Sequence, residues 1–262
     1  MTIDVRRESV VTISSFPSAA QRHDIDPLEL YASAIDASDY VARIAPQVRR
    51  LVPEVGRLLD VGAGGGQLGA ALQDRALPWT AIEPSPTMRT RLASLHKPPD
   101  IVPEGWEEAK ISAGAHDTVL AATMPALFDD PERFLAHCRI WARRTVIWVV
   151  PAHAGPRGLC FAGCLPSEWH REDETPGLDI VMRGLGPASR PDTMAFANWT
   201  FSGVVQDLPK LSAYLADRLG WSASDGRRAA LAAHLAAQAL PDAAGVRLNI
   251  PRESAVLVWG NS

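Results

Sequence analysis

Between positions 55 and 151 the chain alternates five apolar runs of strand length with runs of helix length, and no other feature constrains its fold as much. The strand-like runs are VGRLLDV (55–61), PWTAIEP (78–84), IVPEGW (101–106), HDTVLAAT (116–123) and RTVIWVVP (144–151). Helix-like runs lie among them at 67–77, 85–96 and 130–142, the last opening on Asp130 as a capping residue with Pro131 at the first helical position. Strands separated by helical crossovers pair in parallel, and a parallel sheet is covered on both faces. Two later runs, 193–205, which alternates like a long antiparallel strand, and 253–261, read as the last strands of the sheet. The expected architecture is α/β: a doubly wound, mostly parallel seven-stranded sheet with helices on both faces.

The flanks of this core differ from it. Residues 1–27 show no sustained period and read as an N-terminal arm. Residues 28–54 form a helical cap in which Leu30, Ile35, Tyr40, Val41, Ile44 and Val48 recur at helical intervals, and Pro46 predicts a break between two helices. After the fifth strand, 152–192 is rich in glycine and proline and aperiodic, an irregular insertion or lid; loops this long often carry function. Helical runs follow at 208–220 and 225–240. The whole of 28–262 is expected to form one domain.

Composition narrows the partners. A formal net charge of -4 supplies no basic field for a phosphate backbone, so the expectation is a small-molecule partner and no nucleic acid. Three cysteines are too few for a disulfide framework and suit a reducing, cytoplasmic setting. The N-terminal residues lack an apolar segment of signal-peptide length, and no window offers the roughly 18 apolar residues of a spanning helix, so no membrane association is expected.

The sharpest motif is LLDVGAGGGQLG, 58–69, at a strand-to-helix junction. Glycines there let a ligand approach the backbone, and the helix start offers free N–H groups. The dinucleotide pattern G-x-G-x-x-G fails when begun at Gly62 and Gly64, because Gln67 takes the third place; begun at Gly64 and Gly66 it reaches Gly69 but sets the turn too late. An NAD(P)-dependent oxidoreductase and a non-catalytic cofactor- or metal-binding protein stay open as alternatives.

The run Leu58, Leu59, Asp60, Val61, Gly62, Ala63, Gly64, Gly65, Gly66 resembles motif I of class I S-adenosylmethionine-dependent methyltransferases, a Rossmann-like family. The resemblance implies methyl transfer from S-adenosyl-L-methionine. Asp60 would organise the amino-acid end of that cofactor, and the backbone of Gly62, Ala63 and Gly64 would lie against it. Glu83, 23 residues beyond Asp60 and followed by Pro84, is placed to accept the ribose hydroxyls. Gly105, Trp106 and Glu107 would meet the adenine, and Ala122, Thr123 and Met124 would line the transfer site, Met124 towards the substrate. Tyr31 and Tyr40, on the cap, would close over the methionine part of the cofactor, Tyr40 also facing the substrate.

For the acceptor, a general base is useful only if a proton must leave, and it belongs at the carboxyl ends of the strands. His153 and His170 are the candidates. The set His153, Cys160, Cys164, His170 has soft-ligand character but matches no standard zinc spacing, and buried thiols are the reading preferred over a metal. Trp169 and Trp199, with Phe196 and Phe201, are candidate walls for a flat acceptor.

Overall fold

A computed structural model describes residues 25–124 and 129–260. The arm proposed for 1–27 therefore lies almost entirely outside the described residues. Five parallel strands, β1 (Leu58–Val61), β2 (Thr80–Ile82), β3 (Asp100–Val102), β4 (His116–Ala122) and β5 (Ala142–Pro151), are joined on one side by β8 (Gly245–Gly260), antiparallel to β5, and beyond it by β6 (Thr193–Val205), antiparallel to β8. The order is β3-β2-β1-β4-β5-β8-β6, and an eighth short strand, β7 (Leu240–Asp242), hairpins onto β8. The order reverses between β1 and β4, the point where α/β sheets open a crevice for ligands.

Burial follows the two-residue period of the strands. On β1 and β4, Leu58 and Leu120 enter one core with Ile44 and Val48, whereas Leu59, Val61, Val119 and Ala121 enter the other with Phe134, Trp148 and Trp259. Helix α5 (Pro131–Trp141) covers the second face, its first turn capped by Asp130, whose carboxylate accepts from Arg133 N at 3.0 Å. Helices α3 (Gln67–Leu72) and α4 (Pro86–Ala93) follow β1 and β2; both are shorter than their sequence patterns.

The cap comprises α1 (Pro27–Ala37) and α2 (Tyr40–Leu51), packed on β6. The expected break at Pro46 is corrected: Pro46 lies inside α2, and the chain turns at Ser38 and Asp39 instead. Tyr40, Ile44 and Val48, one above another on α2, are all buried, and packing of that stripe outweighs the roughly 3 kcal/mol of an interior proline. The turn has its own task. Ser38 Oγ accepts from Ser202 N at 2.8 Å and Asp39 Oδ1 from Thr200 N at 2.6 Å, so the outer N–H groups of β6 are satisfied by the cap.

Three further differences from the sequence pattern have local causes. The third strand stops at Val102 because Pro103 donates nothing and the Gly105 carbonyl closes a turn onto Glu108 N and Ala109 N. The last strand begins at Gly245, not 253: Pro251 falls where β8 has only β6 beside it, beyond its pairing with β5 and before that with β7, and such a position tolerates proline. The insertion contains two short helices, α6 (Ser167–His170) and α7 (Gly177–Gly184). Helices α8 (Leu208–Arg218) and α9 (Arg227–Gln238) complete the chain between β6 and β7. No described helix is long and apolar enough to cross a membrane.

Candidate active site

Two cavities meet at the carboxyl ends of the parallel strands. The first, about 280 Å³, lies over the glycine loop and is lined by Asp60, Gly62, Ala63 and Gly64 after β1, Glu83 and Pro84 after β2, and Ala122, Thr123 and Met124 after β4, with Tyr31 and Tyr40 from the cap. The loop stands as it does because of Glu83. One carboxylate oxygen accepts from Gly64 N at 2.8 Å and the other from Ser85 N at 2.8 Å, which ties the β1 and β2 turns together. Gly64 has φ +56° and nothing within 4 Å of where a Cβ would point, so its backbone is bare towards the cleft. Gly62 is the reverse case: the Met124 side chain lies against it, where a Cβ would collide.

Asp60 is only 3% exposed. Burial, reinforced by the charge of Glu83, pushes its carboxyl up to about 7. Tyr40 is buried with its hydroxyl unpartnered, and burial raises that hydroxyl well above the ordinary phenol value. Thr123, at the end of β4, has a left-handed backbone (φ +54°) held by its N–H to Val149 O at 3.0 Å. Non-glycine residues held in this region cluster at functional sites. Its hydroxyl accepts from Tyr31 Oη at 3.5 Å.

The second cavity, about 320 Å³, shares Leu28, Tyr31 and Thr123 with the first. Phe161, Trp199, Phe201 and Tyr214 supply apolar wall, and His153 and Arg252 stand at its polar end. Tyr31 stacks on Phe201 with centroids 5.9 Å apart, and Trp199 meets Tyr40 edge-on at 4.8 Å while donating Nε1 to Ser254 Oγ at 3.0 Å. The structure thus gathers Tyr31, Tyr40, Asp60, Glu83, Pro84, Met124, Trp199 and His153 into one two-chambered site.

Other candidates lie elsewhere. Gly105, Trp106 and Glu107 line neither cavity. Trp106 packs edge-on against Phe134 at 5.2 Å and His137 at 5.1 Å, with Arg133 over its ring, and Glu107 pairs with Arg133 at 2.7 Å; the early end of β3 turns this segment onto α5. His170 also lines neither chamber: its Nδ1 accepts from Glu172 N at 3.1 Å and its Nε2 lies 3.3 Å from Glu174, while Trp169 packs on Trp221 and His234. His153 reaches the cavity, but Arg252 Nη1 lies 2.6 Å from its Nε2 and Glu253 O 2.9 Å from its Nδ1. An arginine can only donate, so the network assigns the proton to Nδ1 and occupies the Nε2 lone pair a base would use. Burial, with the Arg252 charge added, holds His153 below the ordinary imidazole value. Cys160 and Cys164 are free, and burial pushes them up to about 12 and about 11. Among the described residues, no three His, Cys, Asp or Glu side chains are grouped to hold a metal.

Sequence reasoning passed over Arg252, Phe161 and Tyr214 as site residues. Arg252 had a readable signal, a charge two residues before Ser254 on the same strand face, but only if the last strand is begun early enough to contain it.

Residues 59–147 match the family model of a methyltransferase domain. Solved structures of similar fold include one assigned as a methyltransferase from an antibiotic biosynthesis pathway of Anabaena variabilis ATCC 29413 (16% identity, covering 82% of this chain and 96% of that one, TM-score 0.50). Another, from Anaeromyxobacter dehalogenans, is assigned as a Type II methyltransferase (17%, 83% and 94%, 0.53). No curated protein matches in sequence. At such identities the structural likeness is one of fold alone. Residues 59–147 thus form a methyltransferase domain built around this cleft, and the activity it supports is S-adenosylmethionine-dependent methyl transfer. That assignment replaces the oxidoreductase and non-catalytic alternatives.

The residues present fit the cofactor. The bare Gly64 backbone leaves room for it, the Tyr40 hydroxyl lies buried without a partner, and two carboxylates, Asp60 and Glu83, line the same cleft, the chemistry that a group with a cation and a ribose diol calls for.

Proposed function

We propose that the chain methylates a small organic molecule held in the aromatic cavity beside the cofactor cleft. The observation that carries this reading is the common wall: Leu28, Tyr31 and Thr123 face both chambers, so an acceptor in one lies next to a cofactor in the other. Asp60 is read as the partner of the cofactor's ammonium, Glu83 as the acceptor of its ribose hydroxyls, and Gly62, Ala63 and Gly64 as the backbone floor. Bound there, S-adenosylmethionine would supply an electrophilic methyl group, with its sulfur as the leaving group.

What the chain contributes is alignment and dryness. Tyr31 and Tyr40 cover the cofactor from the cap. Trp199, Phe201 and Phe161 exclude water around the acceptor, and the segment 152–192 is read as the lid of that chamber, with Gly158 to Phe161 on its wall. The tied-up Nε2 of His153 argues for a positioning task, so an acceptor proton leaves to solvent in this reading. The net charge of -4 supports a metabolite over a nucleic acid, and the three free cysteines support a cytoplasmic setting.

The test is incubation of the purified chain with methyl-labelled S-adenosylmethionine and a metabolite extract, in parallel with Phe201→Ala. Label in the low-molecular-weight fraction, lost in the variant while S-adenosylhomocysteine still binds, is the expected result. Label in nucleic acid or protein instead overturns it.

A further inference from the structure

The aromatic cavity has an electrostatic asymmetry that packing alone does not require. Among the described residues, three arginines, Arg157, Arg218 and Arg252, line it, and no aspartate or glutamate does. Arg157 is engaged by Asp173 at 3.0 Å and by the Thr175 carbonyl. Arg252 differs. Among the described residues its guanidinium has no carboxylate within ion-pair distance, and its hydrogen bond goes to a neutral imidazole, His153 Nε2, at 2.6 Å.

The nearest acidic side chains are unable to serve it. Glu172 contributes to the field at Arg252, but both its oxygens are consumed by backbone amides: Arg157 N at 2.9 Å, Gly158 N at 2.6 Å and Leu159 N at 3.0 Å. Glu253 is the next residue along β8, so its side chain projects from the opposite face, while Arg252 and Ser254 both face the cavity. A half-buried guanidinium with donors to spare, beside an apolar chamber, is a standing electrostatic cost unless a ligand supplies the anion.

The remaining walls say what kind of anion. Tyr31, Phe161, Trp199, Phe201 and Tyr214 surround a space of about 320 Å³, near the lower limit for small-molecule pockets. Rings dominate, and the Tyr31–Phe201 pair, stacked with 27° between planes, forms a flat panel on the side nearest Thr123 and the cofactor cleft. Planar guanidinium forks pair with carboxylates in bidentate fashion.

We infer that the methyl acceptor is an aromatic carboxylic acid: Arg252, held in place by His153, anchors its carboxylate, and the aromatic walls hold its ring with the nucleophilic atom towards Thr123 and the cofactor. Arg252 is a specificity-determining residue and His153 a positioning residue. The inference rests on the reading of this chamber as the acceptor site.

The experiment is calorimetric titration of the full chain, saturated with S-adenosylhomocysteine, with 2-naphthoate and 3-hydroxybenzoate and with the uncharged carboxamides of the same rings. Saturation itself checks the cofactor reading separately, since a chain that fails to bind S-adenosylhomocysteine refutes that reading before any acid is added. The expected result is an affinity for each acid at least about tenfold above its amide. In Arg252→Gln that preference collapses to within about twofold with S-adenosylhomocysteine affinity unchanged, and Arg252→Lys restores part of it. Equal binding of acid and amide, binding of neither, or an acid preference that survives in Arg252→Gln overturns the inference. The comparison in the unaltered chain stands even if Arg252→Gln does not fold.

Discussion

The cofactor cleft takes nearly all its contacts from one unbroken stretch, Asp60 to Met124, plus the cap. The acceptor cavity takes Tyr31 from α1, His153 from the end of β5, Phe161 from the insertion, Phe201 from β6, Tyr214 from α8 and Arg252 from β8. They share a wall and differ in construction. A site built from successive strand ends is held by local turn chemistry, as Glu83 shows by accepting both Gly64 N and Ser85 N. A site built from six separated segments exists only once the sheet has closed on β6 and β8, so its chemistry is free to change one wall at a time.

If the two chambers are as separate as their construction, each can be damaged alone. Glu83→Ala carries the largest effect: it removes the brace of the glycine loop together with the ribose acceptor. S-adenosylhomocysteine affinity by calorimetry is expected to fall about 100-fold, roughly 2.7 kcal/mol, with acid binding to the aromatic cavity little changed. Loss of both would show that the loop supports the shared wall as well.

Trp106→Ala removes a ring packed on Phe134 and His137, and chemical denaturation is expected to register a loss of about 2 kcal/mol. Because Trp106 lines neither chamber, cofactor affinity is expected to hold; a parallel fall would extend the cleft to the β3 turn.

Asp60 gives a pH signature confined to the cofactor side. Its carboxyl is raised in the folded chain to about 7, so the native state favours the protonated form. Its contribution to folding stability is fully present below the ordinary carboxyl range near 4 and is lost as pH rises through about 7. A cofactor ammonium favours the ionised form, so S-adenosylhomocysteine affinity is expected to rise by up to about tenfold from pH 6 to pH 8. Asp60→Asn should flatten that profile; an unchanged slope would assign it to another group.

The smallest effect belongs to the other chamber. Trp199→Phe keeps the ring against Tyr40 but leaves Ser254, 1% exposed, without its Nε1 donor, at a cost of about 1 kcal/mol in thermal unfolding. Cofactor affinity should not move.

This difference also explains what the sequence made legible. The ends of β1, β2, β4 and β5 and the turn at Asp60 to Gly66 could be read because each is encoded within about a dozen consecutive residues. The β6 strand was equally clear, since burial alternates from Ala195 to Phe201 in TMAFANWTFSGVV. Arg252 was hidden because Pro251 looked like a boundary, and only the pairing with β6 shows that the strand runs through it. The Pro46 helix and the packing of Trp106 on α5 are decided by partners far along the chain, which local propensity does not reveal.

The turn between α1 and α2 has a consequence outside catalysis. Strand β6 is the last in its sheet, and its Thr200 and Ser202 amides are occupied by Asp39 and Ser38. Without them the molecule would present a long, hydrogen-bond-hungry margin with Phe196 and Met194 exposed nearby, a ready template for a strand from another chain. The helical cap that lines the cleft is therefore also a guard against aggregation, and variants that loosen it are expected to precipitate before any loss of activity can be measured.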